Sequence, residues 1–407
     1  MKILLIVPEN SYRIKEFLDA ATELHLDTYI ATDSTFAPPD TADRVFDSLE
    51  FCNPDIAGAS INVIVETLGI DTVVAIDEGG VEIIEWSRAL AKGLQKPTKS
   101  ALALRDKGLL REILSDVVAQ PKLFESTDPL DFATQKYVVK PCKGSASIGV
   151  VKASSRQELD DAIKFIESTL INFGHAIIEE YIDGNEYAFE GVVVNGSLVE
   201  LALFDKPHPL SGPYFAETIY VTPSSLPENL KKKLFQTVEA AVKRLGVESG
   251  PVHVELRITR EETVYIIDFA NRSIGGRCST ALNFVGDRTL EVVLLEALTE
   301  GDASHVRREN QFSGVYMISP TSDGTLQSIA GIDEARRVPF VTEVVIDAKL
   351  GHRYNALPAE SSYLGFIYAK APTRTLCIEA LEKSYDLLNF SFVEKQEGIS
   401  TQRLASH

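Results

Sequence analysis

No run of basic residues interrupts this chain, which carries 59 acidic against 40 basic side chains and a formal net charge of −19. A nucleic-acid partner would need a positive face, so that class is excluded. A phosphate ligand is not, because a few local cations and backbone amides suffice to hold one. Cysteine is scarce: Cys52, Cys142, Cys278 and Cys377 lie far apart without CxxC spacing. That pattern fits reduced thiols and argues against a zinc site. No apolar run reaches the length of a membrane span. The run Ile3–Val7 stops at Pro8-Glu9-Asn10, short of a signal-peptide core and without a cleavage site. The expected setting is therefore soluble and cytoplasmic, with no membrane partner. Repeats and low-complexity tracts are missing too. So is a G-x-G-x-x-G after the first strand, which argues against a dinucleotide site. Gly144 and Gly149 keep the gap of a P-loop, but Val150-Val151 stands where Lys-Ser/Thr is needed, so a Walker-type NTPase is rejected.

What is present is an ordinary globular composition, 44% apolar and 24% charged, over 407 residues, enough for two or three packed domains. The most informative stretch is Pro251 to Arg277. Val252–Thr259 alternates and is rich in Val and Ile, the polar turn Arg260-Glu261-Glu262-Thr263 breaks it, and Val264–Phe269 follows. The pair forms an antiparallel hairpin in which Glu255 and Asp268 can lie opposite one another on one face. Two carboxylates that close repel unless a cation sits between them, and hard divalent cations prefer carboxylate oxygens and share their shell with nucleotide phosphates. Asn271, Arg272 and Arg277 follow at once, with backbone freedom at Gly275-Gly276. Metal, amide and guanidinium thus converge, as phosphoryl chemistry requires. A surface hairpin with two solvated acids is the plain alternative.

Residues 1–97 alternate short strands (Ile3–Val7, Thr28–Ala31, Thr72–Ile76) with helices (Arg13–Glu23, Ala59–Leu68, Val81–Gly93), which predicts a parallel sheet covered on both faces. Asp77-Glu78-Gly79-Gly80 lies past a strand's carboxyl end, where open sheets put ligands. A helix cap accounts for Asp77; Glu78 stays open between cap and ligand contact. Thr98–Leu114 reads as one helix carrying Lys99, Arg105, Lys107 and Arg111. Over 136–205 a strand-rich unit is expected. Its strand Tyr137–Pro141 ends in Lys140, and a loop of small residues from Lys143 to Val150 can admit phosphates to its backbone amides and swing as a lid. Ala176–Ile182 runs into a polar turn, and its strand end can read an adenine edge, with Glu186 next to accept from ribose hydroxyls. Phe204–Pro227, with Lys206, His208, Tyr214, Glu217 and Tyr220, is too long for a simple connector, so it reads as a binding loop or a structural wrap. Helices are expected at Glu228–Arg244 and Leu290–Thr299, an α+β unit at 311–393, and a polar tail at 394–407.

Taken together, these pieces resemble the ATP-grasp superfamily, and within it the bacterial L-amino-acid (dipeptide) ligases, which join a carboxylic acid to an amine. Five motifs in order over about 200 residues carry the likeness. The C-terminal Gly331-Ile332-Asp333-Glu334-Ala335 and Tyr363-Leu364-Gly365-Phe366 add to it. The resemblance implies a mixed α/β and α+β architecture: a parallel pre-domain (1–97), a linker helix (98–135), a mobile lid (136–205), a central domain with the metal hairpin (206–310), and a C-terminal ligase-type unit (311–393). It also implies ATP with Mg²⁺, or Mn²⁺ in its place, small acid and amine substrates, and a homodimer.

Position by position, the resemblance makes Lys107 and Lys140 the nucleotide lysines. It makes Gly144, Ser145, Ser147 and Gly149 the phosphate-covering loop, and Glu179, Glu180, Tyr181 and Ile182 the adenine hinge. Glu186 becomes a ribose contact, and Glu255 and Asp268 the metal carboxylates. Arg272, with Arg277, steadies the acyl phosphate. Glu78, Tyr220, Gly275 and Gly276 fall at the substrates. Three departures stand out. Asp268 replaces the commoner Glu. Ala270 stands where many members carry a metal-binding Asn, with Asn271 beside it as a substitute. Tyr220 stands where relatives often carry a Gly-His pair. Two other readings are a bicarbonate- or formate-using enzyme of the same superfamily and an ATP-binding protein without ligase activity.

Overall fold

The computed structural model describes residues 1–9, 11–34, 42–125, 129–360 and 362–393. The chain starts with a parallel sheet in the order β3-β2-β1-β4, made of β1 (Lys2–Val7), β2 (Asp27–Thr32), β3 (Arg44–Phe46) and β4 (Thr72–Ala75). β1 reads KILLIV because both of its faces are covered. Ile3 and Leu5 pack with Phe17 of α1 (Ile14–Glu23), whereas Leu4 and Ile6 pack with Ile61 of α2 (Pro54–Leu68) and Ile83 of α3 (Val81–Ala91). α2 begins five residues before the expected Ala59. Pro54 is preset for the first helical position, where its missing N–H costs nothing.

The expected helix over Thr98–Leu114 divides into α4 (Lys99–Leu102) and α5 (Lys107–Leu114). Asp106 is the reason: its carboxylate accepts the Leu109 N–H at 3.0 Å and caps a new helix. Lys107 thereby stands at the first position of α5, with its own N–H donating to the Cys142 carbonyl at 2.8 Å.

A second, antiparallel sheet in the order β5-β8-β6-β7 contains β5 (Leu123–Phe124), β6 (Tyr137–Pro141), β7 (Val151–Ala153) and β8 (Ala176–Glu180), backed by α6 (Arg156–Thr169) through Leu159, Ala162 and Ile166. The expected unit over 136–205 ends earlier than that. β9 (Asn185–Val194) and β10 (Ser197–Asp205) leave it for an eight-stranded sheet, because β9 pairs along its full length with β12 (Gly250–Ile258). That large sheet runs β13-β12-β9-β10-β11-β14-β18-β16, adding β11 (Ile219–Thr222), β13 (Val264–Ala270), β14 (Phe312–Ile318), β16 (Val341–Ile346) and β18 (Gly365–Ala371).

Two further expectations change here. The region 311–393 is continuous with the central sheet through β14, β16 and β18, and only β15 (Gly324–Ala330), β17 (Arg353–Tyr354) and β19 (Asn389–Val393) form a small sheet of their own. The long connection after Phe204 contains β11, so Tyr220 lies on a strand and not in a loop. The 394–407 tail falls outside the described residues.

One face of the large sheet carries α7 (Glu228–Leu245), whose Leu230, Leu234, Val238, Ala241 and Leu245 recur at helical spacing. α8 (Leu290–Glu300) is apolar nearly all round because it is buried on two sides. Val292 and Leu295 face the first sheet, and Val293, Leu294 and Ala297 face the eight-stranded one. The parallel sheet's loops, the antiparallel four-stranded sheet and the eight-stranded sheet meet around one cleft.

Candidate active site

Between the antiparallel four-stranded sheet and the eight-stranded sheet lies a cavity of about 520 Å³, within the range typical of small-molecule sites. Its geometry starts from the hairpin. β12 and β13 pair with Glu255 directly opposite Asp268, and a bulge follows at once between Glu255 and Leu256. Along β12, His253, Glu255 and Arg257 alternate onto one face, and all three line the cavity.

At one end cations outnumber acids. Lys107 Nζ lies 3.3 Å from Asp268 Oδ2 and donates to the Gly144 carbonyl at 2.7 Å. Lys140 Nζ sits 2.7 Å from Glu179, whose carboxylate also takes Arg111 Nε at 2.8 Å, and all three side chains are buried. Burial opposes ionisation of Asp268, but Lys107, Lys140 and Arg111 outweigh it and hold its carboxyl at about 2. Glu179 is likewise held below its ordinary range: burial resists, and Arg111 and Lys140 prevail. Lys140 moves the other way from a surface lysine, lowered chiefly by burial.

Over this end hangs the loop of small residues. Gly144 has φ 111°, and a Cβ there would meet the Phe173 ring at 2.3 Å, so only glycine fits. Ala146 and Ser147 follow with φ of 55° and 58°. Two successive non-glycine residues in the left-handed region cost energy that surrounding structure must offset, a feature concentrated at ligand clamps. The wall is otherwise apolar and aromatic. Val138, Ile182, Phe215 and Ile267 border it, and Tyr181 stacks near Phe215 with ring centroids 6.5 Å apart.

At the other end acids dominate. Glu186, Glu217 and Glu255 bring carboxylate oxygens within 4.8 Å of one another, with Lys206 Nζ among them. Burial, then the like charges of Glu255 and Glu186, push Glu217 up to about 7 even though Lys206 opposes the shift. Next to this cluster His253 Nδ1 bonds Glu190, whose second oxygen accepts the Ile274 N–H at 3.1 Å. Tyr220, Cys278, Met317 and Tyr363 complete the wall, and the Gly276 N–H donates to the Tyr12 hydroxyl at 2.6 Å.

Most residues proposed from sequence border this cavity: Lys107, Lys140, Gly144, Ser145, Ser147, Glu179, Glu180, Tyr181, Ile182, Glu186, Tyr220, Glu255, Asp268, Arg272, Gly275 and Gly276. Four do not. Asn271 is buried with its amide donating to the Pro251 carbonyl at 2.9 Å, and it faces a separate small void, so it does not replace the metal ligand missing at Ala270. Arg277 points to Asp347 at 3.5 Å and not into the cavity. Glu78 is taken by two guanidiniums, Arg105 and, at 3.5 Å, Arg272, so its carboxylate supports Arg272 and is not open to a substrate ammonium. Gly149 lies outside the lining, donating its N–H to the Pro358 carbonyl at 3.0 Å.

Sequence reasoning missed Glu190, His253 and Arg257, and it named Arg111 only as a charge on a helix and Lys206 and Glu217 only as members of a loop read as binding or structural. His253 and Arg257 carried a usable signal, since they alternate with Glu255 on one strand.

The donor sets fit the groups that this arrangement calls for. Glu255 opposite Asp268 offers oxygen ligands only, as hard divalent cations require, and the lysine-rich end beneath the Gly144–Ser147 loop suits phosphates.

Comparison with known proteins agrees. Residues 134–281 match the ATP-grasp domain, and residues 316–393 match the L-amino acid ligase C-terminal domain 2. The crystal structure of an L-amino acid ligase from Bacillus licheniformis superposes with a TM-score of 0.77 at 22% identity, over 97% of this chain and 99% of that one. A phosphoribosylglycinamide synthetase from Anaerococcus prevotii gives 0.65 at 16% identity, over 96% and 99%. In sequence, alanine–anticapsin ligase of Bacillus subtilis is 25% identical over 40% of this chain, of which the match spans 39% of the relative's length. A Sinorhizobium fredii protein is 21% identical over 62% of this chain, and there the chain spans 52% of the relative. The chain thus spans about half the length, or less, of these sequence relatives. Residues 134–281 thus carry an ATP-grasp domain and residues 316–393 the L-amino acid ligase C-terminal domain 2, and the chain shares the fold of an L-amino acid ligase.

Proposed function

We propose that this protein is an ATP-dependent ligase that joins a carboxylic acid, in the first instance an amino acid, to an amine, releasing ADP and phosphate. One observation carries the reading. A carboxylate pair in hairpin register, Glu255 and Asp268, faces two lysines and a strained small-residue loop across one cavity, with Arg272 on its wall. A magnesium ion held by Glu255 and Asp268 would neutralise charge on the nucleotide phosphates.

The chain's own groups do the rest. Lys107 and Lys140 hold the phosphates in line with the incoming carboxylate. That carboxylate oxygen attacks the γ-phosphorus, the bond to the β-phosphate oxygen breaks, and an acyl phosphate and ADP result. The amine then attacks the acyl carbon, phosphate leaves, and the ammonium proton passes to solvent or a pocket acid. Arg272, anchored by Glu78, stabilises the negative oxygens of this second step. Apolar and aromatic walls at Ile182, Phe215 and Tyr181 suit the adenine.

The experiment is ADP and phosphate release with Mg²⁺ and ATP across a matrix of amino acids and other small acids paired with amines. Release that needs both partners supports the ligase. Release with bicarbonate alone, or none for any pair, overturns it.

A further inference from the structure

The connection between β10 and β11 starts with Lys206 and reaches Glu217, and the two meet again at the cavity. Lys206 Nζ lies 2.6 Å from Glu186, 3.0 Å from Glu217 and 3.0 Å from Glu255, with its side chain 2% exposed. Glu186 is fixed from its other oxygen by Arg257 Nε at 2.8 Å, and Arg257 also donates to the Ile182 and Leu210 carbonyls at 2.7 and 2.6 Å. Tyr220 closes the group, its ring 4.8 Å from the ammonium.

Three carboxylates this close, Glu186 buried and Glu217 and Glu255 half-buried, form a cage that demands positive charge. One of them, Glu255, is also the acid that pairs with Asp268 in the hairpin. We infer that Lys206 is the resident cation of this cage and a positioning residue for the ligase. It holds the Glu255 carboxylate in place on the strand opposite Asp268 and keeps divalent ions out of the three-carboxylate pocket until they arrive with nucleotide. The inference rests on the reading of Glu255 as a metal carboxylate given above.

The geometry explains why a lysine serves. A compact ammonium has three donors, one for each glutamate. Glu186 keeps Arg257 as a second partner, so its orientation does not depend on Lys206 alone. Glu255 is the freest of the three, with a side chain 25% exposed against 7% for Glu186 and 10% for Glu217. It is the acid that can turn to a metal while Lys206 stays with the other two.

Without the ammonium, the cage becomes a ready oxygen site for a divalent cation in the absence of nucleotide. The test is a Mn²⁺ titration of nucleotide-free protein, read by electron paramagnetic resonance and by thermal melting. Lys206→Met should bind one Mn²⁺ at least about tenfold more tightly than wild type, and Mn²⁺ should raise its melting temperature. Lys206→Arg should keep the wild-type response, and Lys206→Met combined with Glu217→Gln should lose the gain. If Mn²⁺ neither binds Lys206→Met more tightly nor raises its melting temperature, the inference is overturned. Because this readout needs no turnover, it stands apart from the ligase assay. A silent substrate panel beside a gained Mn²⁺ site would sink the ligase reading and leave the cage intact.

Discussion

The two ends of the cavity use the same residue types to opposite effect. At the Lys107–Lys140 end, three cations (Lys107, Lys140, Arg111) surround two acids, and Asp268 is held at about 2. At the Glu217 end, three acids surround Lys206, with Arg257 reaching only Glu186, and Glu217 is pushed up to about 7. Both sets are buried or half-buried, so burial alone does not decide the sign; the local balance of charge does. A surplus of cations suits phosphates, and a surplus of acids suits metal and ammonium. On the proposed reading, the contrast orders the cavity into a nucleotide end and a cation end, with Glu255 and Asp268 where they meet.

The contrast breaks first at its junction. Glu255→Gln removes a metal ligand while nearly keeping shape, and kcat/KM should fall roughly 10³-fold, equivalent to about 4 kcal/mol of transition-state stabilisation. Steady-state kinetics at saturating Mg²⁺ measures it, and a loss under tenfold would remove Glu255 from the metal site.

Glu179→Gln tests the lysine-rich end through stability. It leaves Lys140 and Arg111 without their shared carboxylate, which should cost about 3 kcal/mol at neutral pH. The folded-state carboxyl is lowered from its ordinary 4.5, so its contribution is present above that value and is lost as pH falls through the folded-state value. Urea melts of wild type and variant should therefore converge in acid and separate at neutral pH; a gap independent of pH contradicts the assignment. Smaller again is Lys140→Met, which should lower kcat/KM for ATP by about 10²-fold and leave the KM values for acid and amine nearly unchanged.

How much of this could be read from the chain depended on how local each feature is. The hairpin was legible because alternation, turn and second strand lie within twenty residues, and its register follows from the turn. β1 was legible because burial on both faces leaves a continuous apolar run. The break at Asp106 was a missed local signal, since an aspartate three residues before a satisfied N–H is an ordinary cap. Asn271, Glu78 and Arg277 failed for another reason. Their side chains turn toward Pro251, Arg105 and Asp347, partners brought close only by packing of separate elements. The cage at Lys206 was hidden likewise, its acids coming from two strands and a loop end. A long connection signalled a binding role at 204–227, but nothing in its order revealed β11 or the return of Glu217 to Lys206.

The most direct measurement follows one oxygen. With the acid substrate labelled in its carboxylate with ¹⁸O, an acyl-phosphate route carries one labelled oxygen into inorganic phosphate for each amide formed, alongside ADP. Label in phosphate, dependent on amine and on an intact Glu255, is the predicted result. Unlabelled phosphate, or AMP in place of ADP, would contradict the account.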